Sequence, residues 1–225
     1  MITEKNFIPS LICSDQFRLL DSIKATETSG VSRLHLDVFD NCFVKGFGFS
    51  IDTIKKMVDL THLKLDVHIM TENTYEVVLE VIETGVDRIL VHTECKDFDS
   101  ICKAIINSDI KLGLALKPDT PISAISEYIA FADCLLIFAV NPGKRGQKLR
   151  PDSLIKIRSA RNFLSKRNLY TEIIVDGGVY KESLSQLYKA GADYFIVGTA
   201  FYGDASSLEV IYENIESLKK CIIEM

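Results

Sequence analysis

Features that would divide this chain of 225 residues or direct it out of the cytosol are scarce. It has only five prolines, and no Pro/Ser-rich segment or block of like charge marks a linker between two domains. No apolar run approaches the roughly 18 residues of a membrane span, and the N-terminal MITEKNF has no signal-peptide pattern. The sequence therefore predicts one domain over residues 1–225, located in the cytoplasm and without a membrane partner.

Basic residues and paired cysteines are also too few to indicate a nucleic-acid partner or an extracellular fold. Lys and Arg number 26 against 31 Asp and Glu, and the net charge of −5 argues against nucleic acid or an anionic membrane. The six cysteines show no CxxC spacing and no disulfide framework, which is typical of a reducing compartment. The remaining composition, 47% hydrophobic and 25% charged, suffices for one large globular core.

Short β-like segments alternate with helix-like segments along the whole chain. Ser50 is a candidate helix N-cap, and Pro121 opens a further predicted helix. The predicted strands cover residues 7–12, 32–38, 63–70, 87–92, 110–116, 133–140, 170–176 and 193–197. Eight strand–helix units in a chain of this length predict a (β/α)8 TIM barrel. The alternative is an open doubly wound sheet, which normally carries a phosphate loop after its first strand, and the sequence has none there.

Four polar side chains stand at the ends of three predicted strands. His35 and Asp37 end the second strand and point to one face, because side chains repeat with period 2 along a strand. His68 ends the third strand and Asp176 the seventh, so all four belong to the same rim of a barrel. Two imidazoles and two carboxylates suit Zn²⁺ or a similar ion, although one buried His or Asp is more often a hydrogen-bonded structural group. His92 ends the fourth strand and is a candidate for a residue that supports the metal ligands from behind.

Glycine-rich segments follow the last three predicted strands. NPGKRGQ contains Gly146, and the pairs Gly177-Gly178 and Gly198-Thr199 follow the next two strands. Barrels commonly hold phosphate in such loops, where glycine lets backbone N–H groups approach the phosphate oxygens, although one glycine pair alone can be only a turn. Together with a metal, the loops predict a small phosphorylated ketose as substrate. The two aspartates predict a two-sided proton transfer. One would remove a proton from the carbon next to the carbonyl of the ketose, which gives an enediolate, and the other would return a proton to the opposite face of that carbon.

The motifs, in their order and spacing, resemble the ribulose-phosphate 3-epimerase family, whose members are barrels of the ribulose-phosphate-binding type. The resemblance rests on PSLICSD, HLDVFDNCFV, LDVHIM, LALKPDTP, AVNPGKRGQ, VDGGV and GADYFIVGTAF. It implies four metal ligands, of which Asp37 and Asp176 are also the catalytic acid/base pair: His35, Asp37, His68 and Asp176. It implies substrate contacts for seven further residues: Cys13, Met70, Gly146, Gly177, Gly178, Gly198 and Thr199.

The resemblance also implies an activity, a cofactor and an assembly. The expected reaction interconverts D-ribulose 5-phosphate and D-xylulose 5-phosphate, a step of the pentose phosphate pathway. The expected ion is Zn²⁺, although Mn²⁺, Fe²⁺ or Co²⁺ can occupy the same ligands. The family usually forms oligomers, so a homo-oligomer is expected. Two alternatives remain open: an allulose 6-phosphate 3-epimerase, whose ketose is one carbon longer, and a non-catalytic barrel that binds sugar phosphates.

The chain departs from the family pattern immediately after HLD. DVFDNCFVKG stands where the family usually reads DVMDGHFVPN, so Phe39 replaces a methionine and Asn41-Cys42 replace glycine-histidine. Phe138 replaces a second methionine after the sixth strand, so aromatic rings take the place of soft, polarisable sulfur. The usual GFGGQ loop reads GKRGQ, which adds Lys144-Arg145 either near the phosphate or at a solvated loop tip. These changes bear on the choice of sugar more than on the reaction type.

Overall fold

The computed structural model describes residues 3–141, 146–203 and 208–223, and eight parallel strands run through these ranges. The strands are β1 Phe7–Pro9, β2 Arg33–Phe39, β3 Lys64–Met70, β4 Arg88–His92, β5 Lys111–Leu116, β6 Cys134–Phe138, β7 Glu172–Asp176 and β8 Tyr194–Val197. Every strand falls within its predicted segment, apart from Phe39, which extends β2 by one residue. The predicted alternation of strands and helices is confirmed.

Helices alternate with these strands on the outside. They are α1 Leu19–Thr28, α2 Ile51–Leu60, α3 Thr74–Ile82, α4 Phe98–Ile106, α5 Ser153–Ser165, α6 Lys181–Ala190, α7 Thr199–Tyr202 and α8 Leu208–Ile223. Ser50 caps α2 as predicted, since its hydroxyl accepts a hydrogen bond from the Thr53 N–H at 3.2 Å. None of the helices in the described ranges has the length and apolar character that a membrane span requires.

A helix begins directly after Pro121, as predicted, but it is not an α-helix. The segment after β5 instead forms two short 3-10 helices, Ile122–Ile125 and Ile129–Phe131. The Ser126 hydroxyl donates a hydrogen bond to the Ser123 carbonyl at 2.7 Å.

The strands close into a barrel. Their order is β1-β8-β7-β6-β5-β4-β3-β2, every pair is parallel, and a parallel bridge between Ser10 and His35 joins β1 to β2. Closure confirms the predicted (β/α)8 barrel and excludes the open sheet. The register of β2 on β3 places Asp37 beside His68 at the carboxyl ends of the strands.

Side chains alternate between the two faces of the barrel wall. Leu34 and Leu36 of β2 belong to a large core that also contains buried residues of the helices, such as Ile54. A smaller apolar cluster fills the middle of the barrel and includes Ile8, Leu90, Leu136, Ile174 and Ile196. It separates two layers of polar side chains, one around the first residues of the strands and one at their carboxyl ends.

Candidate active site

The structure brings the four polar side chains from the strand ends to one point. His35, Asp37, His68 and Asp176 each offer one nitrogen or oxygen atom, and these atoms all lie within 4.8 Å of one another. His35 Nε2 lies 3.2 Å from Asp37 Oδ1. His68 Nδ1 lies 3.7 Å from Asp37 Oδ1 and 3.9 Å from Asp176 Oδ2. We call these four side chains the rim cluster.

Three ring nitrogens of the rim cluster are buried without a hydrogen-bond partner among the described residues. They are Nδ1 and Nε2 of His35 and Nδ1 of His68. The approach of His35 Nε2 to Asp37 is close enough for an ion pair but is not directed as a hydrogen bond. An unsatisfied buried polar group costs about 1–3 kcal/mol, so the arrangement favours a partner from outside the chain. Two imidazoles and two carboxylates are ligands that a divalent ion such as Zn²⁺ accepts, and the residues therefore fit a metal.

The two carboxyl groups of the rim cluster have pKa values that shift in opposite directions. Burial raises the pKa of Asp37, but the charge of His35 and, to a smaller extent, of His68 outweighs it and lowers the pKa to about 2. Burial raises the pKa of Asp176 to about 7; the charge of His35 opposes this shift and that of Asp37 adds to it. Paired carboxyl groups whose pKa values are driven apart are typical of a catalytic acid and base.

Ser10 orients Asp37 and is a site residue that the sequence interpretation missed. Its hydroxyl donates a hydrogen bond to Asp37 Oδ2 at 2.8 Å, so that Oδ1 faces the two histidines. Ser10 directly follows β1 at the same rim, inside the motif PSLICSD. The sequence feature that could have identified Ser10 is its position one residue after the end of a strand.

His92 and Glu94 lie directly behind His68. His92 Nε2 lies 3.0 Å from His68 Nε2, and His92 Nδ1 lies 3.1 Å from Glu94 Oε2. Burial lowers the pKa of His92 against the opposing effect of Glu94. The sequence interpretation placed His92 near the site but missed Glu94, two residues further on in VHTE. His62, which precedes β3, is by contrast 79% exposed at the surface.

The rim cluster opens into a cavity of about 410 Å³. This volume lies within the range of small-molecule sites, roughly 300–1,000 Å³. Asp37 and Asp176 line the cavity, and so do all seven residues that the resemblance associates with substrate: Cys13, Met70, Gly146, Gly177, Gly178, Gly198 and Thr199. One concave surface therefore combines acidic side chains with glycine-rich backbone.

At three of these glycines, Gly177, Gly178 and Gly198, an added Cβ would come within 2.7 Å of a neighbouring atom. A Cβ at Gly178 would lie 2.7 Å from the backbone of Leu149, and its φ of +68° is one that L-residues rarely adopt. A Cβ at Gly198 would lie 2.6 Å from Cys13 Sγ. Tyr180 also lines this part of the cavity, and its hydroxyl lies 3.1 Å from Thr199 Oγ1. No spacing or motif in the sequence pointed to Tyr180.

Two of the departures from the family pattern lie at the same cavity. Phe39 and Phe138 line it beside Met70. Asn41 has a φ of 67°, and its side-chain oxygen accepts a hydrogen bond from the Gly46 N–H at 3.0 Å. Asparagine tolerates this left-handed conformation better than most residues, which suits it to this turn. Lys144 and Arg145 lie outside the described residues.

Comparison with known proteins identifies the family of the chain. Residues 6–202 match the model of the ribulose-phosphate 3 epimerase family. The chain belongs to this family. The ribulose-phosphate 3-epimerase of Treponema pallidum (strain Nichols) is 32% identical over 86% of this chain and 89% of that protein. The protein of the same name from Aquifex aeolicus (strain VF5) is 30% identical over 95% of this chain and 96% of that protein.

Solved structures support the fold. A mutant tryptophan synthase α-subunit from Pyrococcus furiosus has a TM-score of 0.70 over 97% of this chain and 99% of that chain. The two sequences are only 18% identical, so the likeness concerns the barrel alone. Membership of the epimerase family confirms the predicted family and enzyme class: the chain is an isomerase, an epimerase that acts on a carbohydrate. The roles of the individual site residues stay predictions.

Proposed function

We propose that this epimerase interconverts D-ribulose 5-phosphate and D-xylulose 5-phosphate with the help of a divalent metal ion. The observation that carries the proposal is the rim cluster, in which two imidazoles and two carboxylates converge at a cavity lined by glycine-rich loops. Relatives from Treponema pallidum and Aquifex aeolicus that bear the name ribulose-phosphate 3-epimerase support the pentulose substrate.

The ion would be held by the rim cluster. Zn²⁺ suits this ligand set best, and Mn²⁺, Fe²⁺ or Co²⁺ can replace it. When bound, the ion supplies positive charge that stabilises the negative charge developing on the substrate oxygens as a carbon-bound proton leaves. His35 and His68 would contribute neutral imidazole nitrogens, and the two carboxylates would serve both as ligands and as proton carriers.

Asp37 and Asp176 would move the proton. Carboxylate oxygens of both lie within 4.8 Å of each other, 3.7 and 3.9 Å from the same atom, His68 Nδ1. One carboxylate takes the proton from C3, which lies beside the carbonyl carbon, and the other carboxyl group returns a proton to the opposite face. C3 thereby passes through a planar enediolate and its configuration is inverted. The hydrogen bond from Ser10 keeps the Asp37 carboxylate oriented during this transfer.

The phosphate would be bound by the glycine-rich loops after β6, β7 and β8. Five residues of these loops, Gly146, Gly177, Gly178, Gly198 and Thr199, line the cavity, and backbone N–H groups are suitable donors to phosphate oxygens. The Tyr180 hydroxyl, beside Thr199, adds a side-chain donor at this end. Cys13 and Met70 would contact the sugar, because they line the cavity together with the rim-cluster aspartates.

Proton NMR in deuterium oxide tests the reaction directly. The zinc-loaded protein is incubated with ribulose 5-phosphate and, in a parallel sample, with allulose 6-phosphate. Loss of the C3 proton signal together with formation of xylulose 5-phosphate is the expected result. Faster conversion of allulose 6-phosphate would assign the hexulose instead, and no exchange with either sugar would favour a non-catalytic binding protein.

We also propose an assembly and a location for the chain, and both proposals rest on the family resemblance. The family resemblance supports a homo-oligomer built from single-domain chains of residues 1–225 in the cytoplasm. Light scattering on the purified protein measures the assembly directly. A mass equal to one chain at micromolar concentration would contradict the oligomer.

A further inference from the structure

A hydrogen-bonded series of side chains begins at the rim cluster and ends in a carboxylate outside it. His68 Nε2 lies 3.0 Å from His92 Nε2, and His92 Nδ1 lies 3.1 Å from Glu94 Oε2. Both imidazoles are fully buried, whereas the Glu94 side chain is 22% exposed. We call His68, His92 and Glu94 the support series.

The Glu94 carboxylate indicates which ring nitrogen of each histidine donates a hydrogen bond and which accepts one. An ionised Glu94 only accepts hydrogen bonds, so Nδ1 of His92 carries a hydrogen. Burial favours a neutral imidazole, which leaves a lone pair on Nε2 of His92. A hydrogen bond between two ring nitrogens needs one N–H, and this hydrogen must then lie on Nε2 of His68. The lone pair of His68 is therefore on Nδ1.

We propose that His92 and Glu94 are positioning residues, which hold His68 in the tautomer whose Nδ1 lone pair faces the rim cluster. Nδ1 is the atom that lies 3.7 Å from Asp37 and 3.9 Å from Asp176, and it is buried without a hydrogen-bond partner in the described ranges. A ligand nitrogen held by such a partner binds a metal more tightly, because the ring is already oriented and more basic. This inference rests on the metal-binding part of the proposed function and identifies Nδ1 as the ligand atom.

The loop after β5 fixes the carboxylate end of the support series. Glu94 Oε1 accepts hydrogen bonds from the Lys117 N–H at 3.1 Å and from the Thr120 hydroxyl. The Lys156 ammonium group in turn donates to the carbonyls of Pro118 and Thr120, at 2.9 and 2.7 Å. One oxygen of Glu94 is thus held by the loop, while the other is directed at His92.

Aromatic rings surround the two histidines. The Phe138 ring lies 5.4 Å from the rings of both His68 and His92, and the Phe43 ring lies 5.1 Å from His92. Within the described parts of the chain, His92 is the only hydrogen-bond partner of His68 Nε2. Loss of His92 would therefore leave this nitrogen unpaired and permit His68 to adopt the other tautomer, with a hydrogen on Nδ1.

Metal affinity of matched variants tests the support series. His92→Phe keeps a ring of similar size but removes the acceptor, and the Kd for Zn²⁺ should rise about 10- to 100-fold in competition with a chromogenic chelator. His92→Gln should restore most of the affinity, because its amide oxygen can accept from His68 Nε2. Glu94→Gln should be intermediate, since an amide either accepts from His92 or donates to it. His62→Phe is the control: this exposed histidine lies outside the support series, and its loss should leave the affinity unchanged.

A long-range ¹H–¹⁵N correlation spectrum of the metal-free protein reads the tautomers without any variant. The expected pattern has His68 protonated at Nε2 and His92 protonated at Nδ1. A wild-type His68 protonated at Nδ1, or an unchanged zinc affinity in folded His92→Phe, would overturn the inference. If His92→Phe does not fold, Glu94→Gln and the wild-type spectrum decide. Neither readout involves a sugar, so a protein that passes both but does not epimerise ribulose 5-phosphate would contradict the proposed reaction alone.

Discussion

Acidic side chains lie at both ends of the barrel interior, but their charged partners differ between the two ends. At the amino ends of the strands, Arg88 forms ion pairs with Asp66 at 2.5 Å, Asp133 at 2.7 Å and Glu172 at 3.3 Å. Arg33 forms a second ion pair with Asp66. Arginine suits such a position because its planar group offers five donors, and here it satisfies several carboxylates at once.

At the carboxyl ends, Asp37 and Asp176 have no such partner. Within the described ranges, the only basic groups at ion-pair distance from them are His35 and His68, and three of the ring nitrogens there lack a hydrogen bond. Incompletely partnered buried groups reduce stability and persist where function requires them. The acidic groups at the amino end are thus paired with arginines, whereas the carboxyl end offers a set of ligand atoms that fits a metal ion.

The largest effect should follow removal of one carboxylate at the carboxyl end. Asp176→Asn keeps the shape of the side chain but cannot exchange a proton, so kcat should fall by about 10²- to 10⁴-fold. The melting temperature of the metal-free protein should not fall, because one of two neighbouring acidic groups is removed. A coupled assay for xylulose 5-phosphate and a thermal melt measure the two quantities. Activity within tenfold of the unmodified protein would contradict the role of Asp176.

At the amino end, the corresponding experiment should affect stability instead. Arg88→Met leaves Asp66, Asp133 and Glu172 without their shared partner and should lower the free energy of unfolding by about 3–5 kcal/mol. Denaturant titration measures the loss. Arg161→Met is the control, since the ion pair of Arg161 with Asp193 is partly exposed and should contribute only about 0–1 kcal/mol. Equal losses in both variants would show that the amino-end network has no special role.

Metal should stabilise the carboxyl end by mass action. Zn²⁺ at 100 times its Kd should add about 2.7 kcal/mol to the free energy of unfolding, and a chelator should reverse the effect. His35→Phe should abolish this response because a ligand is lost. His62→Phe, at an exposed histidine that lies outside the cluster, should preserve it. The same zinc response in both variants would place the ion elsewhere.

The smallest effect concerns the phosphate end of the cavity. Tyr180→Phe removes a hydroxyl beside Thr199 and should weaken substrate binding by about 1.5 kcal/mol, roughly tenfold in KM, without changing stability. Tyr202→Phe is the matched control, because the Tyr202 hydroxyl bonds to Thr26 at 2.9 Å in the buried layer between helices. That variant should lose about 1 kcal/mol of stability and keep its KM. An unchanged KM in Tyr180→Phe would remove this residue from the proposed phosphate site.

The sequence did not predict the site residues that act through hydrogen bonds to partners far away in the chain. His35, Asp37, His68 and Asp176 were predictable because each lies at or near the end of a predicted strand, and the strand ends of a barrel share one rim. Ser10, Glu94 and Tyr180 act through hydrogen bonds to residues on other elements, which no local spacing reveals. The helix expected after Pro121 does form, but its type, a short 3-10 helix, was not predicted.

By itself, the sequence determined the barrel, its eight strands and the residues that meet at the rim, because hydrophobic periodicity and strand order specify backbone topology. Only the tertiary structure decided how the buried charges are partnered. It pairs Asp66 with Arg88 at one end and leaves Asp37 and Asp176 to the histidines at the other. The physical reason is that ion pairs and hydrogen bonds depend on side-chain directions across several strands, and strand register sets these directions only when the barrel closes.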